Sequence, residues 1–342
     1  DFSMNTFKKL IFFLSIFYGI QAHAQEAVTI AFYNLENLFD TKNDPNTFDD
    51  DYTPEGRHHW TPNLLNQKID NLAKVILEVG KKETYQPPFI LGVAEIENRA
   101  VLEKLIAHPL LKPYQYEIVH FDSPDARGID VALLYRPSLF TLENTKKYTL
   151  KLINPKTQNK RTTRDQLLVS GFIGAKEIAL FVNHWPSRRG GQKRSESGRI
   201  KAAMLQQRIV DSVQKVQPNG KIIILGDFND NPNNKSVKLL TKKSDYFPLF
   251  QPLINPMENL FNKGIGSLAY RDRWFLFDQI LISKNLKTTK GLRFIKAAVF
   301  NPYYLQNPEG RYKGYPFRNQ INGDQLLGYS DHFPVYIILA ND

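Results

Sequence analysis

The stretch "KIIILGDFNDNP", residues 221–232, leads from a run of apolar residues into a group of polar ones. The apolar run at 222–225 predicts a buried strand, and Asp227 and Asn229 follow it almost at once. Phe228 lies between these two residues and points the other way on an extended backbone, so we expect it in the core. The sequence therefore predicts a strand that carries a carboxylate and an amide to a polar site at its carboxyl end.

The same pattern recurs along the chain. Polar residues stand at or just beyond other apolar runs: Asn34 and Glu36, Glu95, Asn183 and His184, Asp278, and Asp331 with His332. A single Asp or Asn at a strand end is usually a turn former or a helix cap, and Asp230, before Pro232, is best explained in this way. The whole set is harder to explain by capping. If these strand ends converge, their carboxylates repel one another unless a cation lies among them.

Apolar periodicity predicts many strands and few helices. Helical spacing of apolar residues indicates helices around 65–79 and 203–213, and a hairpin is expected to turn at Gly174. Because several successive strands have connections of hairpin length, we expect an α/β fold of mainly antiparallel sheets covered by helices, not a doubly wound parallel sheet. The predicted strands lie at 27–33, 89–94, 116–121, 129–135, 167–173, 177–183, 221–226, 278–283 and 334–339.

Three stretches between these elements are expected to be long loops, at 40–62, 186–198 and 300–329. The first is acidic and ends near a His-His-Trp sequence, the second is basic and contains glycine, and the third is rich in Tyr, Asn, Gly and Arg. Loops of this length inside a compact domain are usually functional or disordered.

The chain of 342 residues is basic, with 45 Lys and Arg against 34 Asp and Glu and a net charge of +11. Such a surface favours anionic partners, among them nucleic acid, phosphorylated metabolites and anionic lipid. The absence of cysteine excludes a disulfide framework and thiolate catalysis.

Residues 1–24 have the layout of a secretory signal peptide, with Lys8 and Lys9 before an apolar run at 10–20 and a small-x-small site at 22–24. A membrane anchor is disfavoured because the run is too short to cross a bilayer. We therefore expect an exported protein, periplasmic or extracellular, whose single domain covers 25–342 and has no stable membrane span. The sequence leaves the oligomeric state open, with a monomer as the expected form.

In their order and spacing, these strand-end residues resemble the endonuclease/exonuclease/phosphatase superfamily, and in particular its secreted bacterial deoxyribonuclease-like branch. The resemblance implies a four-layer α/β/β/α sandwich whose active site lies at one edge of its two sheets. It covers 27–339, and the matching places are Asn34 with Glu36, Glu95, His184, "GDFN" at 226–229, Asp278, and "SDHFPV" at 330–335.

Phosphate-ester hydrolysis needs a cation on the non-bridging oxygens, an aligned water and a proton source for the leaving oxygen. The oxygen-only ligands fit Mg²⁺, with Mn²⁺ as a possible substitute, and the His and Cys spacing of a zinc site is missing. The resemblance implies that Glu95 is the principal metal ligand and that Glu36, Asn34 and Asp331 lie beside it as further ligands.

In the family pattern, Asp227 aligns or deprotonates the attacking water or helps to hold the metal, and Asn229 donates its amide to the phosphate. His184 and His332 form an acid–base pair, because a histidine near its ordinary pKa exchanges protons at neutral pH. Asp278 resembles the carboxylate that orients His332. For His184 the candidate partner is Asp130. The alternative interpretation is that Asp130 is an ordinary residue at the start of a strand.

His184 also distinguishes subfamilies. Abasic-site repair enzymes resemble the chain elsewhere but lack this histidine, whereas secreted deoxyribonucleases, sphingomyelinases and 5-phosphatases have one. Repair is therefore excluded, and a catalytically inactive phosphate-binding module is disfavoured because no catalytic position is lost. The function expected is a metal-dependent phosphodiesterase, most simply a nuclease acting on DNA or RNA. The alternative enzyme is a phosphatase or phospholipase C-type hydrolase of inositol phosphates or sphingomyelin, although no exposed apolar hairpin for a membrane is evident.

Three further groups have both a functional and a structural interpretation. The basic residues after His184 could clamp phosphates or form a solvated loop: Arg188, Arg189, Lys193, Arg194 and Arg199. The aromatic and basic residues before His332 could stack on bases or pack on the sandwich: Tyr303, Tyr304, Tyr312, Tyr315, Phe317, Arg311 and Arg318. His58 and His59, close to the acidic run 49–51, could hold a second cation, although a surface loop is the simpler interpretation.

Overall fold

Two large β-sheets lie at the centre of the protein. The computed structural model describes residues 26–153, 160–288, 290–319 and 328–341. The predicted signal segment, 1–24, lies outside the described residues, as does part of the predicted loop at 300–329.

The strands and helices follow one another along the chain with these bounds. The strands are β1 (Glu26–Leu38), β2 (Ile90–Ile96), β3 (Glu117–His120), β4 (Asp130–Tyr135), β5 (Thr141–Tyr148), β6 (Leu152–Ile153), β7 (Lys160–Arg161), β8 (Gln166–Ile173), β9 (Lys176–His184), β10 (Lys221–Asp227), β11 (Leu268–Tyr270), β12 (Arg273–Phe275), β13 (Asp278–Ile282), β14 (Arg293–Val299) and β15 (Val335–Asn341). The helices are α1 (Pro62–Glu78), α2 (Lys81–Thr84), α3 (Arg99–Ile106), α4 (Gln192–Val216), α5 (Lys235–Thr241) and α6 (Glu258–Asn262), with short 3-10 turns at Asp50–Tyr52, Lys112–Tyr114, Lys284–Leu286 and Tyr303–Leu305.

One sheet has six strands in the order β14-β15-β1-β2-β4-β3, and the other has five in the order β13-β10-β9-β8-β5. The β1–β2 and β9–β10 pairs are parallel. The remaining neighbours in these two sheets are antiparallel. This pairing confirms the predicted α/β fold with mainly antiparallel sheets.

Three apolar clusters show how the layers stack. The inner faces of the two sheets meet in one cluster, to which β1 contributes Ile30 and β10 contributes Ile223. Helices α1 and α3 pack on the outer face of the first sheet, and α4 and α5 pack on the outer face of the second. The order of layers is therefore α/β/β/α, as the family resemblance implied.

The predicted strands all occur within a few residues of their expected bounds, and Gly174 turns the β8–β9 hairpin with a φ of 57°. The sequence did not predict β5 or β14, which lie at the edges of the sheets. Strand β5 reads "TLENTKKY" and is largely exposed, so it lacks the alternation of apolar and polar residues that marks a half-buried strand.

The expected loop at 186–198 is partly helical, because α4 begins at Gln192 with Gly191 as its N-cap. Its first turns are polar, so apolar spacing does not reveal them. Within the described residues, no helix combines the length and apolar character needed to cross a membrane.

Candidate active site

The polar strand ends converge at one edge of the sandwich. Asn34, where the regular pairing of β1 with β2 ends, donates from Nδ2 to Oδ2 of Asp227 at 3.2 Å, which links the two sheets. Asp227 pairs in register with Asp278 on one side and with His184 on the other. The residues that the sequence placed at separate strand ends therefore share one site.

The backbone near the ends of β1 and β2 takes an unusual form. Glu36, Asn37 and Glu95 have φ values of 49°, 54° and 59°, in the left-handed region that costs free energy for residues with a side chain. Glu95 lies at a register shift between β2 and β4, and its Oε2 accepts a hydrogen bond from the Asn37 amide at 3.2 Å. The irregular backbone thus turns these side chains toward the shared site.

His332 is held by the carboxylate predicted to orient it. Its Nδ1 lies 2.6 Å from Oδ2 of Asp278, which also accepts a hydrogen bond from the Ser267 hydroxyl. Burial alone would lower the pKa of His332, but Asp278, Asp331 and Asp227 outweigh it and raise the pKa well above its usual value. The neighbouring carboxylates therefore favour the protonated form of His332.

The pKa of His184 is shifted in the opposite direction. Burial, with smaller contributions from Arg164, Arg127 and His332, lowers its pKa well below the usual value, which favours the neutral imidazole. Its Nε2 lies 3.6 Å from Oδ2 of Asp227 and 3.8 Å from Oε1 of Glu95.

The prediction that Asp130 orients His184 is wrong. Asp130 is buried, but its Oδ2 lies 2.9 Å from Nε2 of His120 and its Oδ1 accepts the Ser123 amide at 2.7 Å. Nδ1 of His184 has no hydrogen-bond partner among the described residues. Asp130 starts β4 and is fully engaged by groups close to it in sequence, so it cannot orient His184.

Two carboxylates of the site, Glu36 and Asp331, form ion pairs with the same arginine. Nη2 of Arg318 lies 2.7 Å from Oε1 of Glu36 and 3.4 Å from Oδ2 of Asp331. The fully buried Lys68 lies 4.0 Å from Oε2 of Glu36. Burial and the charge of Asp331 nevertheless raise the pKa of Glu36, against the opposing effects of Lys68 and Arg318.

The predicted metal ligands fit a divalent cation in chemical type. Glu36, Glu95, Asp331 and the Asn34 amide offer hard oxygen atoms, the ligand type that Mg²⁺ prefers. A second acidic group, formed by Asp227, Asp278 and His332, has its ligand atoms within 4.8 Å of one another. When bound, a divalent cation would polarise a phosphate oxygen and stabilise the negative charge that develops on it.

The amide of Asn229, predicted to bind phosphate, lies at the site with a φ of 51°. Its backbone N donates to Oδ1 of Asp227 at 2.8 Å, and its Nδ2 donates to the Trp185 carbonyl at 3.1 Å. Phe228 is fully buried, as expected. The GDFN sequence therefore positions its acid and its amide together.

The predicted basic clamp divides into two parts. Arg199 is fully buried and lies 2.7 Å from Asp230, so its assignment to substrate binding is wrong, because helix α4 turns it inward. Arg188 is half-buried and also bonds to Asp230, at 2.8 Å, while its guanidinium lies over the ring of Phe277. Arg189 and Arg194 are exposed and remain candidates for substrate binding. Asp230, predicted only as a turn residue, is the buried acceptor for both Arg188 and Arg199.

A cavity of about 1180 Å³ opens beside the candidate site and reaches Arg318 and Asp331. Arginines and aromatic rings line much of it: Arg188, Arg189, Arg271, Arg311, Arg318, Tyr270, Phe275, Phe277, Tyr312 and Tyr315. We call this cavity the arginine–aromatic groove. Among the aromatic residues predicted before His332, Tyr312 and Tyr315 line it, whereas Tyr304 packs against Tyr329.

Sequence reasoning missed three basic side chains near the site. Arg127 bonds to Oδ1 of Asn37 and lies 3.8 Å from Glu95, and Arg164 donates to the Trp185 carbonyl at 2.6 Å. No motif marks either arginine. Lys68 could have been found, because it follows Leu65 at helical spacing and so falls on the buried face of α1.

The fold and the site define a hydrolase that acts on phosphate esters. The chain belongs to the Endonuclease/Exonuclease/phosphatase family, whose sequence profile matches residues 29–341. This membership confirms the resemblance to the endonuclease/exonuclease/phosphatase superfamily, and that family uses divalent metals. None of the curated proteins compared matches the chain.

Solved structures show the same fold at low sequence identity. Truncated Caenorhabditis elegans TDP2 is 15% identical, with 92% of this chain and 98% of that chain covered and a TM-score of 0.55. An endonuclease/exonuclease/phosphatase family protein from Bacteroides thetaiotaomicron is 17% identical, covers 94% and 100%, and has a TM-score of 0.53. D. rerio TDP2 complexed with single strand DNA product is 16% identical, covers 92% and 98%, and has a TM-score of 0.53.

Proposed function

We propose that the protein is an exported, Mg²⁺-dependent phosphodiesterase that cleaves DNA or RNA. The observation that carries this proposal is the arginine–aromatic groove, which reaches the catalytic edge at Asp331. Export to the periplasm or the medium is supported by the signal-like sequence at 1–24.

The groove combines the two features that single-stranded nucleic acid requires. Arginines attract successive phosphates, and aromatic rings provide faces on which bases stack in any sequence. The guanidinium of Arg271 lies 5.3 Å from the ring centre of Tyr270, and that of Arg311 lies 5.8 Å from the ring centre of Tyr312. The D. rerio TDP2 complex with single strand DNA product, which has the same fold, is consistent with a strand in such a groove.

The charge states of the two histidines suggest their roles. Protonated His332, held by Asp278, is suited to donate a proton to the leaving oxygen. Asp227 and neutral His184 lie 3.6 Å apart and are suited to align the attacking water and accept its proton. Glu95, Glu36, Asn34 and Asp331 would hold Mg²⁺, and Mn²⁺ is expected to substitute for it.

A substrate panel tests the proposal. Single-stranded DNA, duplex DNA, RNA, a chromogenic phosphodiester, a phosphomonoester and sphingomyelin are each incubated with Mg²⁺ and with EDTA. We expect Mg²⁺-dependent cleavage of nucleic acid and of the chromogenic diester. Preferential hydrolysis of the monoester or of sphingomyelin would overturn the nuclease assignment in favour of the phosphatase or phospholipase alternative.

Two variants exclude a contaminating nuclease from the panel. His184→Ala and His332→Ala are each expected to lower kcat by about a hundredfold or more, the usual scale for a lost general acid or base. Both residues lie at the catalytic edge, so circular dichroism should show a native fold. If both variants fold and keep near-normal kcat, the two histidines are structural and the assigned mechanism is wrong.

A further inference from the structure

Arg188 lines the arginine–aromatic groove, but most of its hydrogen-bond donors are bound by the protein itself. Its Nε donates to the Asn229 carbonyl at 2.9 Å, and its Nη1 donates to Oε1 of Gln192 at 3.0 Å. Its Nη2 donates to Oδ1 of Asp230 at 2.8 Å and to Oδ1 of Asn234 at 2.9 Å. Because a guanidinium has five N–H groups, these four hydrogen bonds leave it little capacity for a phosphate.

Aromatic packing holds the guanidinium of Arg188 in the same place. Its Cζ lies 4.5 Å from the ring centre of Phe277 and 5.5 Å from that of Phe275, and only 17% of the Arg188 side chain is exposed. A lysine cannot reproduce this combination of ring stacking and hydrogen bonds in the plane of the guanidinium. The structure therefore uses the shape of this side chain as well as its charge.

The segment that Arg188 holds is the one that carries Asn229. Asn229 has a φ of 51°, a left-handed conformation that costs free energy and persists where the surrounding structure enforces it. The next residue, Asp230, is 1% exposed and binds Arg188 through its carboxylate. Since Arg188 also binds the Asn229 carbonyl, it fixes the peptide that joins these two residues.

Arg188 connects two strand ends of the candidate site. It follows His184, the last residue of β9, by four residues. Its partners Asn229 and Asp230 come directly after the end of β10, where Asp227 lies. Strands β9 and β10 are parallel neighbours, so the hydrogen bonds of Arg188 tie together the two loops that leave them.

We infer that Arg188 is a positioning residue for hydrolysis. It sets the backbone of Asn229 so that the Asn229 amide meets the phosphate, and it is not one of the arginines that attract the polymer. This inference rests on the proposed function and on the phosphate-binding role expected of Asn229.

Loss of this positioning should appear in kcat on a small substrate. An interaction made only in the transition state lowers kcat when it is lost, and a misplacement of about 1 Å can cost about a hundredfold. We therefore expect Arg188→Lys to lower kcat on a chromogenic diester by about tenfold to a hundredfold, with little change in KM. Because lysine keeps the charge, the salt dependence of binding to single-stranded DNA should stay close to that of the wild type.

A double-mutant cycle tests whether Arg188 acts through Asn229. The kcat on the chromogenic diester with Mg²⁺ is measured for the wild type, Arg188→Lys, Asn229→Ala and the double variant. If Arg188 positions Asn229, the two losses are not additive, and the double variant should lie close to Asn229→Ala. Arg208→Lys, the same substitution at an exposed position of α4, is the matched control and should keep the kcat of the wild type.

Additive losses in the double variant would overturn the inference, because Arg188 would then act on the phosphate itself or on the fold in general. An unchanged kcat in Arg188→Lys would overturn it as well, since charge alone would suffice. Circular dichroism verifies the fold, and Arg188→Gln takes the place of Arg188→Lys in the cycle if the lysine variant does not fold. A wild type without diesterase activity would refute the proposed function and this role with it, whereas the other two outcomes, with an active wild type, refute only the role of Arg188.

Discussion

Nδ1 of His332 lies 2.6 Å from Oδ2 of Asp278. Because of this contact, His332 favours its protonated form, unlike His184, the other histidine of the candidate site. His332 gains a carboxylate that stabilises its protonated form, whereas Nδ1 of His184 has no hydrogen-bond partner among the described residues. The pKa of His332 is raised and that of His184 is lowered. In the proposed mechanism, one residue type would thus supply both a proton donor and a neutral acceptor at the same pH.

The Asp278→Asn variant should move the alkaline limb of the pH–rate profile to lower pH. Asp278 raises the pKa of His332, so its removal lets the imidazolium lose its proton at lower pH. The activity that needs protonated His332 is then lost earlier as the pH rises. The measurement is kcat/KM against pH on a chromogenic diester.

A surface His–Asp pair provides the control for this experiment. Oδ1 of Asp70 lies 3.0 Å from Nε2 of His108, and the Asp70 side chain is about half exposed. Asp70→Asn removes a carboxylate from a comparable pair and should leave the profile unchanged. An alkaline limb that stays in place in Asp278→Asn would show that another group sets it.

The Arg199→Met variant should destabilise the fold. Arg199 is fully buried against Asp230 at 2.7 Å, and removing one member of a buried ion pair typically costs about 3–5 kcal/mol. Guanidinium chloride denaturation measures the loss, and exposed Arg194→Met on the same helix is the control. A change below about 0.5 kcal/mol, the range of ordinary surface substitutions, would contradict a structural role for Arg199.

Removal of metal should abolish activity. EDTA is expected to inactivate the enzyme, and Mg²⁺ or Mn²⁺ to restore it, because the donor set consists of hard oxygens. Glu95→Gln should raise the Mg²⁺ concentration needed for half-maximal activity by at least about tenfold. Glu103→Gln, an exposed change on α3, should not. Full activity of metal-stripped protein would refute metal-dependent hydrolysis.

Much of the fold and the members of the site could be predicted from the sequence, because buried strands and strand-end polar residues leave local patterns. Strand β10, with Asp227 at its end, is an example. The edge strand β5 was missed because an exposed strand has no apolar face to mark it. The roles of Asp130 and Arg199 were assigned wrongly, since a motif places a residue on an element but does not identify the groups that its side chain contacts: Asp130 binds His120, and Arg199 binds Asp230.

The sequence named Arg189 and Arg311 as candidates for substrate contacts, but it did not predict that they meet Arg271 in one groove, because the three arginines come from separate segments. Arg189 precedes α4, Arg271 lies at the turn between β11 and β12, and Arg311 follows a 3-10 turn. Only the folded chain brings them to one cavity, and no local pattern connects them.

The combined substitution Arg189→Ala, Arg271→Ala and Arg311→Ala should weaken the action on nucleic acid far more than on a small diester. These arginines line the groove and are exposed. A strand presents several phosphates to them, and each lost contact should flatten the slope of log affinity against log salt by about 0.7 for a single strand. KM for single-stranded DNA or RNA should therefore rise strongly, while kcat/KM for a chromogenic diester stays within a few-fold of the wild type.

A matched variant separates the groove from overall charge. Lys201→Ala, Arg208→Ala and Lys215→Ala remove the same charge from exposed positions of α4 that do not line the cavity. This control should keep the KM and the salt slope close to those of the wild type, because screening weakens charges that lie far from the strand. Equal losses for both triple variants would show that net charge alone attracts the polymer. Equal losses on polymer and small diester in the groove variant would place these arginines at the scissile phosphate.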